Sequence, residues 1–302
     1  MALEGHMNHI RELQGVPGST PSLANLQITF IGAGRIAQAM VEGLVAAGLS
    51  ADQIHLTNRG NRERLNHLQS RWGVNVHLDK ASAVDGAHVV VLAVKPADMA
   101  EAVAQVKPHL TGEPLLISVA AGITLAALAE WTEDRYALVR AMPNSSSRVL
   151  ASATALAFDE KCNDEHKALA EALFRTIGSV VVVPEDQMDA VTGLSGSGPA
   201  YIYRLVEGLM EAGRMAGLPD HLTRRLSIET LYGAAHMLAR TGQEPTELRQ
   251  EVTSPGGTTA AGLAVLEAHG FTEALQQAVM AATRRAGELS NWYTNDSGEM
   301  VG

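Results

Sequence analysis

Through the first half of the chain, short apolar runs rich in β-branched residues alternate with stretches whose apolar positions recur every three or four residues. The first pattern predicts strands, the second helices. A strand is expected over residues 27–31, and beyond a glycine turn helical spacing runs through Ala39, Val41, Leu44 and Val45 to a stop at Gly48. Residues 53–57 predict a second strand, 62–72 a helix ended by Gly73, and 74–77 a short strand. Residues 87–94 are nearly all apolar, as a strand buried on both faces of a parallel sheet should be. Further strands are expected at 115–119, 136–141, 153–158 and 180–183, with helices at 125–131 and 163–177. The alternation over residues 27–144 predicts a doubly wound α/β sheet.

From about Met188 the pattern turns helical. One helix is expected over 201–215 and a longer one over 220–240. Leu222, Leu226, Ile228, Leu231, Ala235 and Leu238 cover much of the longer helix's circumference, which predicts burial against more than one partner helix and a homodimer built from this region. The expected organisation is a leader or tag at 1–26, an α/β domain at 27–187 and an all-α domain at 188–302.

Composition narrows the function. A chain of 302 residues has room for two cores. A net charge of −10 with no basic cluster argues against a nucleic-acid partner. Cys162 is the single cysteine, so no intrachain disulfide or cysteine-based zinc site is expected, and the eleven histidines show no HExxH spacing. No metal is expected. The longest weakly polar run, 115–129, is short for a membrane span and contains Ser118, Gly122 and Thr124. The first 26 residues lack the apolar core of a signal peptide, and Glu4 and Glu12 suit a transit peptide poorly. A cytoplasmic location is expected by elimination.

Candidate chemistry begins at Gly32-Ala33-Gly34, set between the first strand and the first helix. Gly32 allows a tight turn, Gly34 admits a pyrophosphate to the backbone, and Ala37 keeps helix and strand close; this is how a Rossmann unit holds a dinucleotide. The alternative is a turn that binds nothing. The second strand ends in Asn58-Arg59, where an NAD site usually has a carboxylate. A carboxylate would repel the 2′-phosphate of NADP, whereas Arg59 can bind it, so NADPH is favoured with NADH a weaker substitute. The plainer alternative is that Asn58 and Arg59 form an ordinary turn. Lys95-Pro96 makes a corner at the carboxyl end of a strand, and Lys95 reads equally as a cofactor-side contact or a surface lysine.

A second candidate lies in the helical half, at Ser254-Pro255-Gly256-Gly257-Thr258-Thr259. Paired glycines expose backbone N–H groups, a helix N-terminus behind them favours an anion, and Thr259 adds a hydroxyl. Alternatively this is a helix–helix turn with a threonine as N-cap.

Here the chain resembles the pyrroline-5-carboxylate reductases. The resemblance rests on Val252-Thr-Ser-Pro-Gly-Gly-Thr-Thr259, on Val191-Thr-Gly-Leu-Ser-Gly-Ser-Gly-Pro-Ala-Tyr201, and on Ala93-Val94-Lys95-Pro96, Ala120-Ala121-Gly122 and the glycine turn in the same order. It covers roughly residues 28–289. The resemblance implies NADPH-dependent reduction of the ring imine of 1-pyrroline-5-carboxylate to proline, a helical dimerisation domain, and often rings of five dimers. It implies that Ser254, Gly257, Thr258 and Thr259 hold the substrate, with the Thr259 hydroxyl on the ring nitrogen. It further implies that Ile31, Gly32, Ala33, Gly34, Arg35, Ile36, Asn58, Arg59, Ala93, Val94, Lys95, Pro96, Ala120 and Ala121 line the cofactor. Lys80 aligns where some relatives carry asparagine, and would add charge toward the 2′-phosphate; Gln243-Glu244 stands where relatives often have Glu-His, so no acid is assigned there.

Rival readings are weaker. A hydroxyacid dehydrogenase would want a positioned base such as lysine or histidine in the helical half, and the absence of any lysine there counts against it. Reduction of another cyclic imine fits the same loop. A serine hydrolase would need glycine two residues after Ser195, where Ser197 stands. A non-catalytic NADP-binding sensor would have no use for the second loop.

Overall fold

A computed structural model describes residue 23 and residues 25–294, so the leader expected at 1–26 lies almost wholly outside the described residues. The chain forms two compact units. One is Ser197–Ala281; the other, which carries the sheet, holds described residues 25–196 together with 282–294.

In the sheet unit, β1 (Ile28–Ile31), α1 (Arg35–Ala46), β2 (Ile54–Thr57), α2 (Arg62–Trp72) and β3 (Asn75–His77) alternate as expected. They are followed by α3 (Lys80–Val84), β4 (Val89–Leu92), α4 (Met99–Val106), β5 (Leu115–Ser118) and α5 (Leu125–Trp131). Next come β6 (Leu138–Met142), β7 (Ser152–Phe158), α6 (Asp164–Arg175), β8 (Gly178–Val182) and α7 (Met188–Val191). The strands form a single eight-stranded sheet in the order β3-β2-β1-β4-β5-β6-β7-β8. The chain winds outward from β1 to β3, then crosses back to β4, so the switch in winding direction falls between β1 and β4. Strands β1 to β6 pair parallel; β7 is antiparallel to β6 and parallel to β8.

Burial accounts for the sequence pattern. All four residues of β1, of β4 and of β5 are buried, which is why these runs are apolar without alternation. Thr29 is tolerated inside because its hydroxyl donates to the Ala83 carbonyl at 2.6 Å. Helices α2, α3, α5 and α6 start on the side chains of Asn61, Asp79, Thr124 and Asn163, each accepting an N–H of the first turn. Helix α1 has no such cap.

Among the described residues one charged group is sunk in the sheet. Arg140 on β6 is 4% exposed, and its guanidinium donates to Glu185 at 3.1 Å and to Asp189 on α7 at 3.2 Å. Glu185 also accepts the Leu125 N–H at 2.9 Å, and Asp189 the Ser290 hydroxyl at 3.0 Å. This network ties β6, α5, α7 and the last turns of the last described helix together.

The second unit is helical: α8 (Gly198–Met215), α9 (Asp220–Thr241), α10 (Pro245–Glu251), α11 (Thr258–Ala268) and the start of α12 (Phe271–Thr294), whose last turns belong to the sheet unit. Helices α8 and α9 cross closely where Gly213 meets Thr223. Within Ser197–Ala281 the buried residues are Thr223 and Ser227, both small hydroxyl side chains. Ile202, Leu209, Leu226, Ile228, Tyr232, Met237, Val265 and Met280 are all exposed in the single chain. The broad apolar coverage read from the sequence is thus present, and it faces outward. A unit without an apolar interior needs a partner surface to bury it.

Candidate functional site

Four sequence motifs meet at one rung of the sheet. Thr57, Ile31, Leu92 and Ser118 are paired neighbours across β2, β1, β4 and β5, and each is the last residue of its strand. Directly after them come Asn58-Arg59, Gly32-Ala33-Gly34, Ala93-Val94-Lys95-Pro96 and, one residue later, Ala120-Ala121-Gly122. The cofactor residues expected from sequence are therefore gathered along the carboxyl edge of the sheet, on both sides of the switch point.

The turn after β1 can be made only by glycine. Gly32 has φ +111°, and a Cβ there would lie 2.5 Å from the Ala93 carbonyl oxygen. Its N–H donates to the Thr57 carbonyl at 2.8 Å, while Ala93 N–H donates to the Ile31 carbonyl at 2.8 Å, so turn and corner are tied to their neighbours. Helix α1 starts at Gly34 with no side-chain cap and no acidic residue in its first turn, and Arg35 and Ile36 are its first residues. A Cβ on Gly34 would meet nothing nearer than 3.7 Å. Free N–H groups, a positive dipole end and open space fit a dinucleotide pyrophosphate. Ala33 is buried, and Ala37 packs inside at 0% exposure.

Asn58 and Arg59 do different things. The Asn58 carboxamide accepts the N–H groups of Gly60 and Asn61, each at 2.9 Å, and donates to the Asn61 carbonyl at 2.9 Å. It shapes the loop that starts α2. Arg59 reaches out of that loop and pairs with Asp98 at 2.9 Å and with Glu101 on α4 at 3.3 Å. Lys80, the first residue of α3, donates to Gln105 of α4 at 2.5 Å, and Gln105 donates in turn to Glu101 at 2.9 Å. Lys95 is exposed and has no ion-pair partner among the described residues, and Pro96 starts a short 3₁₀ turn that leads into α4. Val94 packs against the core beside the corner. Ala120 is buried, and Gly122 lies against Leu289 and Tyr293 of α12.

The second candidate is the start of α11, in the helical unit. Gly256 has φ +71° with open space around it, and Gly257 is the N-cap, with no side-chain cap bond. The turn is closed by Gly257 N–H on the Ser254 carbonyl at 3.0 Å, and a Cβ on Gly257 would fall 2.5 Å from the Ser254 hydroxyl, which would have to turn away. Thr258 and Thr259 are the first two helical residues, not the cap, and both are exposed. The hydroxyls of Ser254, Thr258 and Thr259 make no hydrogen bond within the described residues. This helix start therefore presents backbone N–H groups and three hydroxyls together, a set suited to a small carboxylate with an adjacent nitrogen. The residues expected at the cofactor belong to the sheet unit and this loop to the helical unit.

Sequence reasoning missed three features. Asp98, Glu101 and Gln105 hold the two cations expected at the 2′-phosphate. The 192–196 stretch of the second motif is a π-turn, in which the Ser195 hydroxyl donates to the Val191 carbonyl at 3.2 Å and Gly196 lies against Met142. Arg140, hidden in an apolar run, anchors α7 beside that motif. Among the described residues no group of three or more His, Cys, Asp or Glu side chains could hold a metal ion.

Comparison with known proteins adds the following. A family model described as pyrroline-5-carboxylate reductase dimerisation matches residues 185–289, and one described as NADP oxidoreductase, coenzyme F420-dependent, matches 27–122. The chain is 41% identical to pyrroline-5-carboxylate reductase 1 of Bacillus subtilis over 271 residues, 89% of this chain and 91% of that one. It is 40% identical to the pyrroline-5-carboxylate reductase of Arabidopsis thaliana, over 88% of this chain and 96% of the relative. The structure resembles a pyrroline-5-carboxylate reductase from Coxiella burnetii with a TM-score of 0.83 at 40% identity, covering 88% of this chain and 98% of that one. It resembles the Plasmodium falciparum pyrroline carboxylate reductase, solved with NADP bound, with a TM-score of 0.81 at 27% identity, covering 89% and 100%.

Proposed function

The chain belongs to the pyrroline-5-carboxylate reductase family, and from that premise we propose that it reduces 1-pyrroline-5-carboxylate to proline with NADPH, using the two sites just described. The observation that carries the assignment of the substrate loop is the start of α11: an uncapped helix with unpartnered hydroxyls at Ser254, Thr258 and Thr259. Backbone N–H groups from Gly257 onward take the substrate carboxylate, and the Thr259 hydroxyl hydrogen-bonds the ring nitrogen. Ser254 and Thr258 complete the contact. Bound NADPH supplies the hydride that adds to the carbon of the C=N bond. The protein's part is to fix the ring's orientation and to help bring a proton to its nitrogen, from water through Thr259; position and electrostatics do the rest.

In the sheet unit, Gly32, Ala33, Gly34, Arg35 and Ile36 hold the pyrophosphate, and Arg59, with Lys80 near it, meets the 2′-phosphate. Ala93, Val94, Lys95 and Pro96, with Ala120 and Ala121, line the cofactor beyond β4 and β5. The uncapped α1 and the open space at Gly34 support this reading. The protein is a homo-oligomer, and the outward apolar helices support a dimer as its building block, with rings of five dimers as the larger assembly. A cytoplasmic location accords with the lack of any described helix long and apolar enough to cross a membrane, and a net charge of −10 supports the absence of a nucleic-acid partner.

The test is NADPH oxidation on adding 1-pyrroline-5-carboxylate, run beside other five- and six-membered cyclic imines. Thr259→Ala is expected to lower kcat at least tenfold, about 1.4 kcal/mol or more of lost transition-state stabilisation, with NADPH affinity nearly unchanged. Turnover within twofold of wild type would remove Thr259 from the mechanism.

A further inference from the structure

The surroundings of Arg59 run against its expected task. A cation meant for a phosphate is held by two carboxylates, Asp98 at 2.9 Å and Glu101 at 3.3 Å. Glu101 continues through Gln105, 2.9 Å, to Lys80, 2.5 Å. Asp98, Glu101 and Gln105 follow one another at spacings of three and four along the start and body of α4, so they form one stripe on its surface. That stripe touches both cations assigned to the 2′-phosphate.

These pairs are exposed. The Arg59 side chain is 74% accessible and those of Asp98 and Glu101 37% and 52%. Pairs of this kind are weak and exchange readily, so a phosphate can take the arginine from them. The carboxylates remain in place after Arg59 has changed partner. A 2′-phosphate, bearing nearly two negative charges, then shares the guanidinium with two like charges a few ångströms away. NADH, with a hydroxyl at that position, meets no such opposition.

We propose that Asp98 and Glu101 set the strength of the preference for NADPH over NADH, by occupying Arg59 in the free enzyme and opposing the 2′-phosphate in the bound one. The proposal rests on the reading that Arg59 meets that phosphate. In evolutionary terms the pair is a brake: it holds discrimination below what the arginine alone would give.

The experiment measures equilibrium binding of NADPH, NADH, 2′,5′-ADP and 5′-AMP to the full-length enzyme at low and moderate salt. The proteins are wild type, Arg59→Ala, Asp98→Asn/Glu101→Gln, and the triple variant, each checked for an unchanged melting temperature. The double variant is expected to bind NADPH and 2′,5′-ADP about threefold to tenfold more tightly, most at low salt, with NADH and 5′-AMP within a factor of two. In the triple variant most of that gain disappears. If Arg59→Ala leaves NADPH affinity unchanged, the arginine assignment fails and the proposal with it. If Arg59→Ala weakens NADPH but the double variant leaves it the same or weaker, the assignment stands and the proposal is overturned, because the carboxylates then only steady the arginine. Equal gains for NADPH and NADH would overturn it too.

Discussion

Replacing Arg140 by methionine should unfold the sheet unit more easily than any single loss at its surface. The guanidinium is 4% exposed and joins two carboxylates, so its removal strands Glu185 and Asp189 without their counter-charge. Breaking a fully buried pair in this way costs about 3–5 kcal/mol. Here the carboxylate side chains are 29% and 31% exposed, and each keeps another donor, the Leu125 N–H and the Ser290 hydroxyl. Water and those donors recover part of the loss, which brings the expected cost to about 2–3 kcal/mol. For a unit of this size that is a fall in Tm of about 5–10 °C. Trp72, Trp131 and Trp292 all lie in the sheet unit, so urea unfolding followed by tryptophan fluorescence reports on it and not on the helical unit. The companion variant Arg140→Met/Glu185→Gln/Asp189→Asn removes all three charges and should recover more than half of the lost stability. An Arg140→Met protein within about 0.5 kcal/mol of wild type would refute the reasoning, since it would mean that both carboxylates rehydrate at no cost.

Two further outcomes follow from groups whose protonation the fold shifts. His55 and His77 are stacked, with Nδ1 of one 2.9 Å from Nε2 of the other, and Gln27 accepts from His55 at 2.7 Å. Burial, and for His55 the neighbouring His77, hold both below the ordinary histidine range, while Asp79 partly offsets this at His77. The unfolded chain therefore binds more protons, and stability should fall as pH drops from about 6.5 toward the lowered folded values, then level off; a urea midpoint as steep in pH for His55→Gln/His77→Gln as for wild type would contradict this. Burial, reinforced by the hydrogen bond and charge of Asp159, pushes the Cys162 thiol up to about 12. Cys162 should thus react with a thiol reagent at pH 8 only after unfolding in urea, and rapid labelling of the native enzyme would show that the thiol is reachable and ionised.

What the sequence disclosed and what it hid differ in range along the chain. The Gly32 turn, the helix stop at Gly73 and the α5 limits were legible because each depends on residues a few positions apart. The same holds for the loop at Gly256-Gly257, although the residue taken as N-cap is Gly257 and not a threonine. The reversal of β7 was not legible, since apolar periodicity carries no strand direction. Arg140 was not singled out within its expected strand, because its acids lie 45 and 49 residues away. The carboxylates on Arg59 stand 39 and 42 residues downstream, on a helix that the sequence pattern did not pick out. Motif reading found the candidate ligand-binding groups and passed over the groups that face them.

The outward apolar helices also govern how damage spreads. A chain altered at Gly32 or Thr259 keeps its helical faces, so in a cell that makes both versions it still pairs with intact chains and carries its defect into shared assemblies. A chain altered on α8 or α9 so that it no longer pairs withdraws from the pool and leaves its neighbours untouched. Substitutions that spare association therefore place altered chains beside intact ones, and those that abolish it do not.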